Sequence, residues 1–390
     1  MAGDLFLLPR ADRRVRLGHA WVFSNEVDVG RSPLAQYGPG DLAVVRDAYG
    51  KPVGTAYVNP GALICARILT SDAKAVIDRA WWTSRLRRAL SLRDSLYAAP
   101  YYRAVYGESD GCPGLVVDRY GDVLVAQLNT AGIVKMRQTI LDVLQKLTSA
   151  SGILVRSAGS VRQIEGIDEF DATVGDVPEV ADVREENAVF SAPLRKGQKT
   201  GYFFDQRDNR SRLERYVRGK SVLDMYSYIG SWGVRAARFG ATQVTCSDSS
   251  QLALDFAQEN AARNRVRIET CRGDALEVLS SFAGEGRKFD VVIVDPPALI
   301  KRRKDVPAGQ SMYERLNRLA LAVLSADGVL VSCSCSHHLE PAMLQRAILG
   351  AGKDAGRRVQ ILERHAHAPD HPIHPAMPET EYLKAFFVRA

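Results

Sequence analysis

The most constraining feature of this sequence is the regular alternation that begins near Ser221, where short β-branched runs are separated by amphipathic stretches of helical length. The predicted strands are Ser221–Met225, Thr242–Ser247, Ile268–Cys271, Phe289–Val294, Gly328–Cys333, Val359–Glu363 and Leu383–Val388. Such an alternation is typical of a mostly parallel sheet with helices on both faces. The sequence therefore predicts an α/β fold with a doubly wound sheet in its second half.

The first part of the chain has a different period. From Leu5 to about Thr70, short alternating segments are broken by Gly, Pro and Asn turn signals, which predicts a small β-rich barrel or sandwich. The stretch Ala73 to Leu96 then places apolar residues at helical spacing with arginines between them, which predicts a basic amphipathic helix. Short strands are predicted next at Leu115–Asp118 and Val123–Ala126.

Composition limits the class of protein. Hydrophobic residues make up 46% of the 390 residues and charged residues 25%, which is enough apolar material for two or three packed domains. No apolar run approaches the roughly 20 residues needed to span a bilayer. Six scattered cysteines do not suggest a disulfide framework, so we expect a soluble, cytoplasmic protein with reduced thiols and no secretion signal.

An aspartate stands at the end of each of four predicted strands. They are Asp224, Asp248, Asp274 and Asp295. Ligands of open α/β sheets bind at the carboxyl ends of the strands, so these side chains are candidates for one binding site. Any one of them could instead be a helix N-cap, but four at consecutive strand ends favour a shared site.

The turn after the first of these strands lacks the G-x-G-x-x-G pattern of dinucleotide sites and carries Asp224 where the first glycine would be. A carboxylate there would repel a pyrophosphate. The acidic set suits a ligand with positive charge, hydroxyl groups and an amino group. S-adenosylmethionine, which carries a sulfonium and an ammonium, has this chemistry.

Several motifs resemble one known family. They are Asp224-x-Tyr-Ser-Tyr-x-Gly230, Asp295-Pro-Pro297, Ser334-Cys-Ser336, Gly18–Glu26, Gly107–Tyr120 and Gly197–Asn209. Together they resemble the bacterial large-subunit (23S) ribosomal RNA cytosine-5 methyltransferases of the RlmI type, which are class I S-adenosylmethionine-dependent methyltransferases. The resemblance extends over nearly the whole chain, as far as Tyr382-Leu-Lys384.

The resemblance implies three domains, a cofactor and a substrate. The domains are a PUA domain over 1–72, a central α/β domain with a β-hairpin over 73–187, and a Rossmann-like methyltransferase domain over 188–390. The implied product is 5-methylcytosine in 23S ribosomal RNA, and a homodimer is possible. The implied S-adenosylmethionine site consists of Phe203, Asp205, Gln206, Asp224, Tyr226, Ser227, Gly230, Asp248, Ser249, Asp274, Ala275, Asp295 and Pro296.

Two residues are predicted to be catalytic. A thiolate that adds to C6 of cytosine makes C5 nucleophilic, so the chemistry requires a cysteine at the strand ends. Cys335 matches the S-C-S motif, while Cys333 lies on the same side of an ideal strand and stays an alternative. Asp295 is predicted to hold the N3 and N4 edge of an extruded cytosine. Ala298 occupies a position where amino-group methyltransferases usually carry an aromatic residue.

Basic residues are the predicted RNA contacts, within a net charge of +7. The run Lys301, Arg302, Arg303 and Lys304 directly follows the Asp-Pro-Pro turn, and Arg13 and Arg14 lie in the first domain. Solvated charged faces are the alternative interpretation. No metal is expected, and the histidines at 365, 367, 371 and 374 are interpreted as part of a rigid surface loop.

Two other functions remain possible on the sequence alone. One is a purine N-methyltransferase acting on RNA with the same fold. The other is a non-catalytic RNA-binding factor in ribosome assembly that retains the fold.

Overall fold

The computed structural model describes residues 3–156, 160–168 and 170–390. Its internal contacts divide the chain into two compact units, between which the chain passes several times. The first unit comprises Met1–Ala181, Pro193–Phe204 and Pro369–Thr380, and the second comprises Asp182–Ala192, Asp205–Ala368 and Glu381–Ala390. The predicted boundaries at 72 and 187 stay predictions.

The first unit begins with a five-stranded sheet of spatial order β1-β3-β4-β5-β2. Its elements are β1 (Gly3–Phe6), α1 (Asp12–Arg16), β2 (Trp21–Phe23), β3 (Asp41–Arg46), β4 (Pro52–Val58) and β5 (Ile64–Thr70). Alternate residues of β3, Ala43 and Val45, are buried against Leu5 and Val22 in one apolar cluster. The β-rich domain predicted from the turn signals is confirmed.

A second five-stranded sheet of order β10-β9-β8-β7-β6 belongs to the same unit. Its elements are α2 (Arg79–Leu96), β6 (Tyr101–Tyr106), β7 (Leu115–Tyr120), β8 (Val123–Leu128), α3 (Ala131–Lys135), α4 (Arg137–Thr148), β9 (Gly152–Arg156), α5 (Ser160–Glu165) and β10 (Ala172–Gly175). Helix α2 begins six residues later than predicted, because Asp78 caps it by accepting a hydrogen bond from the Trp81 amide.

A two-stranded hairpin, β11 (Val180–Glu185) and β12 (Ala188–Pro193), precedes the main sheet of the second unit. The other elements are α6 (Arg207–Arg212), α7 (Glu214–Val217), β13 (Ser221–Met225), α8 (Ser231–Arg238), β14 (Gln243–Asp248), α9 (Gln251–Arg263), β15 (Glu269–Arg272), α10 (Ala275–Gly284), β16 (Phe289–Val294), α11 (Val306–Val323), β17 (Leu324–Ser334), α12 (Pro341–Asp354), β18 (Gln360–His365) and β19 (Lys384–Arg389). All seven strands predicted for this region are present.

The main sheet has the order β15-β14-β13-β16-β17-β19-β18. Strands β13 to β17 pair in parallel, while β19 pairs antiparallel with both β17 and β18. Apolar clusters cover both faces, one around Leu223 and Leu330 and the other around Val222 and Val331. Strands β14 and β15 lie on one side of β13, and β16 and β17 lie on the other, so the strand order reverses between β13 and β16. In a doubly wound sheet the ligand crevice lies at this point, at the carboxyl ends of the two strands. Within the described part of the chain, no helix is both long and apolar enough to cross a bilayer.

Candidate active site

The loop between β13 and α8 is held in a conformation that few residues tolerate. Tyr226, Tyr228 and Gly230 have positive φ angles of 60°, 49° and 77°. A Cβ atom at Gly230 would lie 2.8 Å from the Cβ of Ala257, so only glycine fits there. The loop is fastened to the end of β14, where the Asp248 carboxylate accepts from the Tyr228 amide at 2.9 Å. This loop therefore presents a preformed backbone surface at the sheet edge.

Asp224 lies inside β13 and is completely buried beneath that loop. Its Oδ2 accepts from the Gly233 amide at 2.9 Å. Its Oδ1 has no hydrogen-bond partner among the described residues. Burial, together with the negative charges of Asp295 and Asp248, raises the pKa of Asp224 to about 8. A buried carboxyl without a cation is costly, so the site favours a positively charged ligand.

The ends of β14 and β15 reach the same neighbourhood. Asp274 caps α10 by accepting from the Leu276 amide at 2.9 Å, so the N-cap interpretation considered for the strand-end aspartates holds here. Burial raises the pKa of Tyr226 to about 12, and the charges of Asp274 and Asp248 add to this shift. Ser249 follows Asp248, and the buried Ala275 follows Asp274 at the start of α10.

Asp295 directly follows β16 and is half-buried. Its Oδ2 accepts from Trp232 Nε1 and from Gln206 Nε2, both at 3.0 Å. Its Oδ1 makes no hydrogen bond to the residues that the structure describes, so one oxygen remains for a ligand. Burial is the main cause that raises the pKa of Asp295 to about 6, and the charge of Asp205 adds to it.

The segment before α6 supplies the partners of Asp295. Asn209 donates from Nδ2 to the Gln206 side-chain oxygen at 2.7 Å, which orients the Gln206 amide toward the aspartate. Asp205 accepts from the Tyr382 hydroxyl at 2.5 Å. Phe203 belongs to the first unit, where the Lys199 ammonium lies 5.1 Å from its ring centroid. The contacts within the second unit thus assemble Asp205 and Gln206, but not Phe203, with Asp295.

The two candidate cysteines lie in different environments. Cys335 is half-buried, and its Sγ lies 3.7 Å from the carbonyl oxygen of Pro296. Cys333 is 1% exposed, packs in the apolar core, and has its pKa raised well above the usual value by burial. The expected alternation does not extend to Cys335, because β17 ends at Ser334.

Three polar residues beside Cys335 were missed by sequence reasoning as members of the site. Ser336 Oγ accepts from the Ile300 amide at 3.1 Å and lies 3.0 Å from the buried Tyr313 hydroxyl. Lys384 Nζ donates to the Ser336 carbonyl oxygen at 2.9 Å. The available signal was a lysine inside the predicted apolar strand Leu383–Val388, where charge is unusual.

The predicted RNA contacts divide into exposed and engaged residues. Lys301, Arg302, Arg303 and Lys304 are all exposed beyond the Asp-Pro-Pro turn, and Arg302 pairs with Asp305 at 3.0 Å. In the first unit Arg13 is exposed, whereas Arg14 donates to both Glu26 carboxylate oxygens at 2.9 Å.

The prediction of a surface loop for the late histidines is wrong at His371, which is 2% exposed. Its Nδ1 lies 2.7 Å from Asp370 Oδ1, and Asp370 is itself buried and accepts from the Arg103 amide at 2.9 Å. In the described ranges no group of three or more His, Cys, Asp or Glu side chains is arranged to hold a metal ion.

The fold and this site define a class: an S-adenosylmethionine-dependent methyltransferase joined to a PUA-like domain. Family models of these two descriptions match residues 115–389 and 5–71, respectively. A protein described as a methyltransferase and crystallised with S-adenosylhomocysteine superimposes with a TM-score of 0.86 at 18% identity, over 100% of both chains.

Full-length relatives narrow the class to a family. The ribosomal RNA large subunit methyltransferase I of Cronobacter sakazakii is 35% identical over 394 residues, which is 99% of each chain. The protein of the same name from Escherichia coli is 35% identical over 399 residues and 100% of each chain. The chain belongs to the same family as these methyltransferases.

The residues at the strand ends fit S-adenosylmethionine. The Asp224 oxygen without a partner, the raised pKa values of Asp224 and Asp295, and the fixed backbone of the 226–230 loop suit a ligand that carries positive charge. Bound there, S-adenosylmethionine supplies an activated methyl group.

Proposed function

We propose that the protein methylates C5 of a cytosine in 23S ribosomal RNA, with Cys335 as the nucleophile and Asp295 as the residue that positions the base. The observation that carries this proposal is the 3.7 Å distance between Cys335 Sγ and the Pro296 carbonyl oxygen. This contact brings the candidate nucleophile to the Asp-Pro-Pro turn, at the edge of the sheet that carries the proposed cofactor residues. The names of the full-length relatives supply the substrate class.

The chemistry requires a partly accessible thiol in a fixed position. The Cys335 thiolate forms a bond to C6 of the base, and the electron pair of the C5–C6 double bond shifts to C5, which then attacks the methyl group of S-adenosylmethionine and displaces S-adenosylhomocysteine. Loss of the C5 proton and elimination of the thiolate restore the aromatic ring. Cys335 fits this role because it is half-buried beside the turn, whereas Cys333 is enclosed in the core.

Asp295 suits recognition of the base because its two oxygens have different surroundings. Trp232 and Gln206 fix Oδ2, while Oδ1 is left to accept from the N4 amino group of a flipped cytosine. With its pKa near 6, the carboxyl is mostly ionised at neutral pH and can act as an acceptor. Ala298 leaves the next position without the aromatic ring that stacks on the base in amino-group methyltransferases.

The cofactor would be held by the 226–230 loop, by Asp248 and Ser249, and by Asp274 and Ala275, with Asp205, Gln206, Asp224, Asp295 and Pro296 as its further contacts. The exposed run 301–304 would bind the phosphates flanking the target base, because it follows the turn directly. Arg13 is a proposed RNA contact, and Phe203 is a proposed contact of the cofactor. Arg14 is also a proposed RNA contact, and its guanidinium is already bound to Glu26.

The deciding experiment is methyl transfer from labelled S-adenosylmethionine to unmodified 23S ribosomal RNA, followed by mass spectrometry of the nucleosides. We expect 5-methylcytidine with wild type and with the matched control Cys333→Ala. We expect none with Cys335→Ala, and RNA containing 5-fluorocytosine should trap the covalent adduct only when Cys335 is present.

Other outcomes lead to other functions. A methylated purine formed equally well by Cys335→Ala would show N-methylation on the same fold. Binding of RNA without binding of S-adenosylhomocysteine would show a non-catalytic assembly factor.

A further inference from the structure

Lys384 is a buried lysine at the edge of the candidate site, and the proposed methylation does not use it. It is the first residue of β19 and pairs with Ser334 in the antiparallel ladder between β17 and β19. It is 4% exposed. Lysine is rarely buried to this extent unless its charge is used or compensated.

The ammonium group is fixed by two backbone carbonyls. Nζ donates to Ser336 O at 2.9 Å and to Tyr382 O at 3.0 Å. Its third N–H has no hydrogen-bond acceptor in the described part of the chain. Because Lys384 pairs with the residue before Cys335 and bonds to the carbonyl of the residue after it, its charge is held next to the Cys335 segment.

The ionisable groups around this ammonium are few. Glu381 and Glu340 interact with it electrostatically, but both are exposed, so water screens them. Tyr313 reaches the same segment through the Ser336 hydroxyl and is itself buried. Cys335 is therefore the partly buried group whose charged form the positive charge of Lys384 would stabilise most, because water screens the interaction less at a partly buried thiolate.

We propose that Lys384 is a positioning residue that stabilises the thiolate form of Cys335, so that a larger fraction of the nucleophile is charged at neutral pH before RNA binds. This proposal rests on the proposed function only for its catalytic meaning. Burial lowers the pKa of Lys384 to about 8, so the ammonium is still mostly protonated at pH 7, where its support is needed. A cation beside a cysteine is a common cause of a reactive thiol.

The first test is the rate at which iodoacetamide alkylates Cys335 in the full-length protein as a function of pH, measured by peptide mass spectrometry. We expect a midpoint below about 8.5, the value of an ordinary cysteine. Cys271 is half-buried with its pKa raised by burial, so it serves as the reference thiol in the same sample. A wild-type midpoint at or above about 8.5 would overturn the proposal without any variant.

Variants then assign the effect to Lys384. Lys384→Met should raise the Cys335 midpoint by about one pH unit, and Lys384→Arg should keep it near the wild-type value. Lys288→Met is the matched control, because Lys288 also donates to a backbone carbonyl, that of Ala322, but lies away from Cys335. An unchanged midpoint in a folded Lys384→Met protein would refute the proposal, and if that variant does not fold, the wild-type midpoint decides.

Catalysis gives a second readout that a purely structural role would not move. At pH 7, Lys384→Met should lose about tenfold in kcat, with KM for S-adenosylmethionine unchanged, and should recover as the pH rises. If Cys335→Ala still forms the methylated product, the proposed function fails while the alkylation result stands. If Cys335 is required but its midpoint does not respond to Lys384, only the present proposal fails.

Discussion

Two buried aspartates, one in each unit, differ in whether a positively charged side chain is bound to them. Asp118 in β7 and Asp224 in β13 are both 0% exposed. Asp118 accepts from Arg103 at 2.5 and 3.0 Å and from the Thr200 hydroxyl at 2.5 Å. Asp224 accepts from the Gly233 amide and, at 3.9 Å, from the Cys246 thiol, and neither it nor Asp295 forms an ion pair with any described residue.

The difference separates a carboxylate whose charge is compensated within the fold from a carboxyl that has no cationic partner among the described residues. A buried carboxylate beside an arginine is compensated within the fold, and its removal leaves the partner uncompensated. A buried carboxyl without a cation raises the free energy of the folded protein unless it is protonated or a ligand brings the cation. The edge of the main sheet should therefore bind a positively charged ligand more favourably than a neutral one, and S-adenosylmethionine carries such a charge.

The largest effect on stability should come from removing the charge of Asp118 from its pair with Arg103. Asp118→Asn leaves the Arg103 guanidinium, whose side chain is 12% exposed, without its counter-charge. We expect a loss of about 3–5 kcal/mol in the free energy of unfolding, measured by urea denaturation. The control is Asp122→Asn, an exposed position in the adjacent turn, which should change it by less than about 0.5 kcal/mol. Equal effects at the two positions would contradict the comparison.

The next effect concerns Asp295. In Asp295→Asn the side-chain oxygen must face the donors Trp232 and Gln206, which turns the amide N–H groups toward the ligand. Calorimetry should show affinity for S-adenosylmethionine reduced about tenfold, because one nearby negative charge is lost. S-adenosylhomocysteine lacks the sulfonium charge and should lose less. An identical loss for both ligands would show that charge is not the reason.

A smaller effect is expected from pH. The carboxyls of Asp295 and Asp224 have pKa values raised to about 6 and about 8, so both are more ionised as the pH increases through this range. Affinity for S-adenosylmethionine should therefore rise between about pH 5.5 and 8.5, with a weaker rise for S-adenosylhomocysteine. Binding that weakens with increasing pH would reverse the assigned sign.

The smallest effect should come from Asp224→Asn at pH 6. Asp224 is mostly protonated there, so a neutral amide should change the free energy of unfolding by about 1 kcal/mol or less. Because the folded pKa is raised, the contribution of Asp224 is fully present below its unfolded pKa of 3.8 and is lost as the pH rises toward about 8. The variant should lose less stability over that range, as urea titrations at several pH values would show.

The strands of the main sheet were predictable because strands buried on both faces of a parallel sheet have continuous runs of β-branched residues in the sequence. Ser221–Met225 and Phe289–Val294 have the predicted bounds. The start of α2 was not predictable from periodicity, since Asp72 and Asp78 bond to nearby backbone amides and keep residues 73–78 out of the helix.

The candidate site was predictable by position but not by orientation. The strand-end aspartates could be found because parallel strands end at one edge. That Trp232 and Gln206 fix one oxygen of Asp295 depends on packing between distant segments. The contact of Lys384 with Ser336 likewise arises from pairing between strands about fifty residues apart, which no local pattern encodes.

The order of the main sheet has a consequence for biosynthesis. Strand β19 is made last but lies between β17 and β18, so a ribosome must translate residues 384–389 before the sheet can close. Until then β17, eleven residues long, offers an open edge on the nascent chain, and open edges invite pairing with other chains. A prematurely terminated product would carry the cysteine strand without its closing partner, and would be a target for chaperones or proteolysis before it could act as an enzyme.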